Sequence, residues 1–142
     1  MNTTDRRDTE LSTKTVADKL LIKPNTTIWS SHTERLNLIA GLPESVNVVG
    51  GPAEAMTAVV FADDAGSLRD ILNTHQDQIA QPGTLWVAYP KGNRTDINRD
   101  TLWPILTEYG MRPISQIAVD EVWSALRFRP LKEGEAPFTG GR

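Results

Sequence analysis

Four segments of the chain carry side chains able to do chemistry. Ser30-Ser31-His32 sets two hydroxyls beside an imidazole, the components of a nucleophile and a base. Asp63-Asp64 supplies paired acids, and Asp120-Glu121 supplies a second pair. Lys91-Gly92-Asn93-Arg94, followed by Asp96, places a glycine between cations ahead of a helix start near Asp100. Backbone N–H groups and positive charge in such a loop can receive a phosphate or carboxylate.

None of these strings is a complete motif. Neighbours in sequence, such as Ser31 and His32, do not by spacing alone acquire the facing geometry of nucleophile and base. The basic loop lacks the GxxxxGK spacing of a phosphate-binding loop. There is no cysteine and there are two histidines, which removes disulfides, thiolate metal sites and a cysteine nucleophile, and no metal is expected.

The elements that position these residues follow from apolar periodicity. A short helix carrying Val16, Leu20 and Leu21 leads through a Lys23-Pro24-Asn25 turn to a strand at Thr26-Thr27-Ile28-Trp29-Ser30. Leu36, Ile39 and Ala40 suit a helix over 34–40 that Gly41 stops. A second strand is expected at 46–49. The almost continuous apolar run 56–62 reads as a central parallel strand covered on both faces. Leu68, Ile71, Leu72, His75 and Ile79 define one amphipathic helix after Asp63-Asp64. A strand at 85–89 follows, then a helix bearing Leu102, Ile105, Leu106 and Tyr109, with Asp100 as its expected N-cap so that Pro104 falls near the first turn. Two strands at 114–119 and 122–129, joined tightly at Asp120-Glu121, must be antiparallel.

This order predicts an α/β, Rossmann-like three-layer sandwich: a mostly parallel sheet with a C-terminal antiparallel hairpin strand. The 142 residues suffice for one such domain over 16–130, flanked by a disordered arm over 1–15 and a flexible tail over 131–142. In open α/β sheets ligands bind beyond the carboxyl ends of the parallel strands. That rule gathers Ser30, Ser31, His32, Asp63, Lys91, Arg94, Asp96 and Asp120 on one rim as candidate ligand-binding residues. The plainer reading is that loops at this edge are polar in any case, with Lys91 or Arg94 pairing with Asp96. Arg99, Asp100, Arg127 and Arg129 could serve a substrate or equally form ion pairs that lock the last helix and the hairpin; for Arg127 and Arg129, which alternation places on one face of a strand, ion pairs are expected. His75 should pack rather than ligate, and most of Trp29, Trp86, Trp103 and Trp123 should be core.

From Ala58 onward the order of elements is similar to the C-terminal half of a class I S-adenosylmethionine-dependent methyltransferase: an apolar strand ending in acids, Gln81-Pro82-Gly83-Thr84 leading into the next strand, a helix closing at Tyr109-Gly110-Met111, and a terminal hairpin with Trp123. The front half departs from that family. Its glycine-rich first turn is replaced by Ser30-Ser31-His32-Thr33, and the acid ending its second strand by Val49-Gly50-Gly51-Pro52. One helix-strand unit before Met56 is also missing. The segments 86–91, 99–103 and 120–130, the last reading DEVWSALRFRP, resemble a bacterial family of domains of unknown function; that resemblance implies no activity.

The expectation is therefore a non-catalytic, degenerate methyltransferase-like module that binds a small anionic ligand or a protein partner at the rim and needs no cofactor. The alternatives are a small methyltransferase that uses S-adenosylmethionine through an altered loop, and a regulatory interaction domain. A net charge of -3 argues against nucleic acid, and no apolar run in the chain is of bilayer-spanning length, so a cytoplasmic protein is expected.

Overall fold

The computed structural model describes residues 14–139, so nearly all of the expected N-terminal arm lies outside the described residues. Among these residues three α-helices, α1 (Val16–Lys19), α2 (Ala65–Thr74) and α3 (Arg99–Thr107), accompany six strands: β1 (Thr27–Ser30), β2 (Asn47–Val48), β3 (Thr57–Phe61), β4 (Thr84–Pro90), β5 (Met111–Ala118) and β6 (Trp123–Pro130). Two 3-10 turns, Thr33–Leu38 and Pro52–Glu54, link the first three strands. The strands form one sheet in the order β2-β1-β3-β4-β6-β5. β1 to β4 run parallel, and β6 is antiparallel to both of its neighbours, β4 and β5. This is the Rossmann-like three-layer sandwich expected, with its reversed strand inserted one place from the edge.

Alternation along the strands explains the layers. Ile28, Val59, Phe61 and Trp86 face α1 and the first 3-10 turn, meeting Ala17, Leu20, Leu36 and Ile39. Ala58, Val60, Val87 and Leu126 face the other way, against Leu68 and Leu72 of α2 and Leu102 and Leu106 of α3. All five residues of β3 are buried, as a central strand covered on both faces requires. The Trp86 indole also donates to the Leu20 carbonyl at 3.0 Å, which ties α1 to the sheet centre.

Several local expectations are corrected. The segment expected as an α-helix over 34–40 is a 3-10 turn, because its two buried anchors, Leu36 and Ile39, are three residues apart and eclipse at three residues per turn. It ends at Leu38 with Ile39 as its C-cap, so the stop expected at Gly41 comes three residues earlier; Gly41 turns the chain beyond it, with a φ of +81° and a Cβ position that would lie 2.4 Å from Cβ of Thr15. α2 stops at Thr74, and Ile79 is buried from the turn beyond rather than from the helix. The N-cap of α3 is Asn98, not Asp100. Its side-chain oxygen accepts from the N–H groups of Asp100 and Thr101 at 2.8 and 3.0 Å, and the Thr101 hydroxyl accepts from the N–H of Asn98. Pro104 consequently lies inside the helix, where it cannot donate to the Asp100 carbonyl.

The expected ion pairs of the hairpin are half realised. Arg127 makes none among the described residues, and its buried Nε has no partner. Arg129 instead holds Glu135 with both guanidinium nitrogens, at 2.9 and 2.7 Å, and Arg112 Nε approaches the same carboxylate at 3.6 Å. Glu135 lies in the stretch expected as a flexible tail, and this clamp anchors it to β5 and β6.

Two outcomes follow. Trp86→Phe keeps an aromatic side chain, though a smaller one, and leaves the Leu20 carbonyl without its donor; it should lower stability in urea unfolding by about 1–3 kcal/mol, against about 3–5 kcal/mol for Trp86→Ala. The Arg129 guanidinium and the Lys132 N–H hold the Glu135 carboxyl down at about 2, from an ordinary value near 4.5. A depressed carboxyl stabilises the fold above its unfolded value, and that contribution fades as pH falls toward the folded one. The Tm gap between the wild type and Glu135→Gln should therefore be full above about pH 4.5 and should close as pH approaches 2.

Candidate functional site

The parallel sheet changes direction between β1 and β3: from β1 the chain moves outward to β2, and from β3 it moves the opposite way to β4. A crevice at the carboxyl ends of two such strands is where this architecture binds ligands. Ser30 pairs with Val59, so β3 continues past the end of β1. The chain beyond β1 folds into this step. The Ser31 N–H donates to the Val59 carbonyl at 3.2 Å, and the Ser31 hydroxyl accepts from the Phe61 N–H at 2.8 Å. The Ser30 hydroxyl accepts from the His32 N–H at 3.1 Å, which closes a tight serine turn.

Side chains then cover the junction. Arg35, from the 3-10 turn, donates to both oxygens of Asp63 at 2.9 and 3.2 Å. The same guanidinium lies 5.8 Å from the Phe61 ring centroid and 5.3 Å from that of Trp123. Phe61 and Trp123 meet edge to face at 5.4 Å, and His32 is edge-on to Phe61 at 6.4 Å. The space between Ser30 and Asp63 is thus occupied by the chain's own arginine and aromatics.

Ser31 and His32, whose adjacency alone promised no contact, do hydrogen-bond, with Oγ and Nδ1 2.9 Å apart. The hydroxyl also holds the Phe61 N–H, and among the described residues no acceptor orients the second ring nitrogen, so the pair lacks the third member of a nucleophile relay.

The other rim candidates do not converge on this point. Lys91 Nζ donates to the Asp120 carbonyl at 2.6 Å. The Asp120 carboxylate accepts from the N–H groups of Val122 and Trp123, both at 2.7 Å, and so shapes the hairpin turn. Asp96 accepts from the Ala65 N–H at 2.9 Å, beside the N-cap Asp64, so the pairing expected with Lys91 or Arg94 is replaced by a cap on α2. Arg94 is exposed. Behind Lys91, burial pushes the Tyr89 phenol above its ordinary value, with Ser124 opposing the shift. No group of three metal-ligating side chains occurs among the described residues, and no helix there is long and apolar enough to cross a membrane.

A hollow of about 310 Å³ touches the end of β1 from the α2 side. Trp29 and Ile71 form its floor, with Ser30, Ser31, Asp70 and Thr74 as polar lining and the His75 ring edge-on to Trp29 at 4.7 Å. Because α2 runs back from the rim, Asp70 and Thr74 place this hollow on the flank of the sheet. Sequence reasoning missed Asp70 and Thr74, and also Arg35, Phe61 and Trp123 as the closure. The available signals were the i, i+4 spacing of Asp70 and Thr74 next to the apolar Ile71, and a lone cation three residues beyond His32.

These residues do not fit an adenosyl cofactor at the junction. A Ser-Ser-His turn bonded to Phe61 stands where the main chain would have to approach the ligand, and β2 ends without an acid.

No family model matches the sequence, and no curated protein does either. The fold does match solved structures. A protein of the NAD-binding Rossmann superfamily from Streptococcus agalactiae aligns with a TM-score of 0.54 at 12% identity, covering 87% of this chain and 69% of that one. A candidate tRNA methyltransferase from Streptococcus pneumoniae aligns at 0.53 and 13% identity, covering 94% and 72%. A protein from Listeria monocytogenes aligns at 0.52 and 16% identity, covering 88% and 69%. The chain therefore has a Rossmann-like, methyltransferase-type scaffold in shortened form. Identities this low carry the fold and nothing further.

If Arg35 closes the junction as an ordinary half-exposed pair, a double-mutant cycle on Arg35→Ala and Asp63→Ala should return a coupling of about 0.5–1 kcal/mol in urea unfolding, shrinking in high salt. A coupling of zero at low salt would show that the pair does not hold the crevice shut.

Proposed function

We propose that this chain is a binding module on a methyltransferase-type scaffold rather than a methyl-transferring enzyme. The observation that carries this reading is the closure of the junction between β1 and the 3-10 turn that follows it. The Ser31 hydroxyl receives the Phe61 N–H, and Arg35 bridges to Asp63 over two aromatic rings. Of the eight rim candidates, Ser30 and Ser31 border the remaining hollow, while Lys91, Asp96 and Asp120 are engaged in holding loops. The lining of the hollow offers one carboxylate, hydroxyls and an imidazole over an indole. A small neutral molecule bearing hydroxyl or amino donors suits it better than the anion that the Lys91 loop suggests.

One observation favours the competing reading of a small methyltransferase. The hollow adjoins Ser30 and Ser31 and is of nucleoside size, so an adenosyl group entering from the flank would still reach the end of β1.

Titration calorimetry of the full chain with S-adenosylmethionine and S-adenosylhomocysteine separates the two. The binding-module reading expects no saturable heat in the micromolar range from either compound. Micromolar binding that Asp70→Ala weakens tenfold or more would overturn it in favour of a cofactor seated in the flank hollow.

A further inference from the structure

The stretch beyond β6 is seated on the sheet through two anchors three residues apart. Glu135 is one: both carboxylate oxygens are taken by Arg129 at 2.9 and 2.7 Å, Arg112 approaches at 3.6 Å, and the Lys132 N–H adds a bond at 2.9 Å. Phe138 is the other. Its ring lies edge-on to Trp103 at 4.8 Å, and the Arg112 guanidinium sits 5.3 Å from its centroid. Arg112 therefore serves both anchors. Arg129 comes from β6, Arg112 from the edge strand β5, and Trp103 from α3, where it is half-buried against the core, so the recess belongs to the body of the domain rather than to the segment lying in it.

The seated segment does not fill the recess. Beside Phe138 remains a hollow of about 260 Å³, lined by Arg99 of α3, by Pro113, Ile114 and Gln116 of β5, and by Leu126. Ile114 is exposed there. A bidentate arginine site for a carboxylate, with an indole and a second guanidinium placed to receive a ring, is the chemistry by which a surface recognises a short peptide with an acidic and an aromatic residue.

We propose that this recess is a docking site for a protein segment of the form Glu-x-x-aromatic, occupied in cis by residues 135–138 and open to the same motif from a partner. The segment in cis competes at the high effective concentration that a short tether confers, so a partner gains access by displacing it. The hollow beside Phe138 gives a partner its advantage, because a larger ring or one further apolar residue has room that the cis segment leaves unused. The site is separate from the β1 junction and its flank hollow, and stands or falls independently of them.

The test uses full-length chains and a fluorophore-labelled peptide of residues 131–139. Glu135→Ala/Phe138→Ala vacates the recess without touching its walls. This variant should bind the peptide saturably by fluorescence anisotropy, at least tenfold more tightly than the wild type does. Adding Arg129→Ala to it should weaken binding tenfold or more, and replacing phenylalanine by tryptophan in the peptide should strengthen it. Phe138→Ala alone keeps the Glu135 clamp and frees only the aromatic half of the recess; should the double variant lose its cooperative unfolding transition, this variant serves as the host, and it should still bind the peptide saturably and more tightly than the wild type does. Equal binding by the wild type and the vacated variant, or no saturable binding by either host, would overturn the proposal.

Discussion

The crossover from β2 to β3 has only the residues between Val48 and Thr57 in which to pass across β1, and much of the molecule follows from that shortage. A parallel connection ordinarily takes a dozen residues or more and lays a helix on the sheet. Here it is a single 3-10 turn, Pro52–Glu54, pinned by the Thr27 hydroxyl through the Glu54 carbonyl and the Met56 N–H. A turn of that size buries Pro52 and its C-cap Ala55 and adds little else to the core. The α2-side face of β1 consequently has no helix of its own, and His75 leans in to cover Trp29. The flank hollow is the part of that space which His75 does not reach.

The same shortage bears on the rim. β2 is held to two paired residues, so it presents no side chain at the level where a neighbouring strand would face a ligand at β1. β1 itself ends at Ser30 while β3 continues to Phe61, and the step between them is filled from the nearest source, the turn that follows β1. Arg35 suits the task because its planar guanidinium pairs with Asp63 along its edge and lies near two aromatic rings with its face.

The strands and the layer order were legible in the sequence because they rest on apolar periodicity, and burial is what periodicity reports. The apolar run 56–62 has the length and β-branched content of a central strand, and Trp123-Ser124-Ala125-Leu126 alternates as a strand does. Local hydrogen-bond competitions were less legible. Asn98 and Asp100 are both good N-caps, and the choice fell to Asn98 because Thr101 can return the bond. The rim was legible as a list of residues but not as a site, because Lys91 chose a carbonyl and Asp96 a helix N-terminus over each other. No spacing rule encodes such a choice. The clamp on Glu135 was hidden for a related reason: its partners lie on strands, and a short polar stretch rich in glycine and proline gives no sign that one of its acids has a fixed place.

The two halves of the junction's closure differ in kind, and the functional reading leans on one of them. The Arg35 and Asp63 side chains are partly exposed, and such a pair, even with two cation–π contacts, is worth little more than about 1–2 kcal/mol. A ligand need only prefer the open form by that much to swing the arginine aside. The Ser31 contact is a backbone matter. The hydroxyl satisfies the Phe61 N–H at the point where β3 has outrun its neighbour, and the Ser30 turn fixes the chain that carries it. Displacing that hydroxyl strands a half-buried amide, and no glycine in the turn lets the main chain retreat. Side-chain motion can therefore uncover the rim surface of Phe61 and Trp123, but it cannot create the close main-chain approach that an adenosyl group at this junction requires.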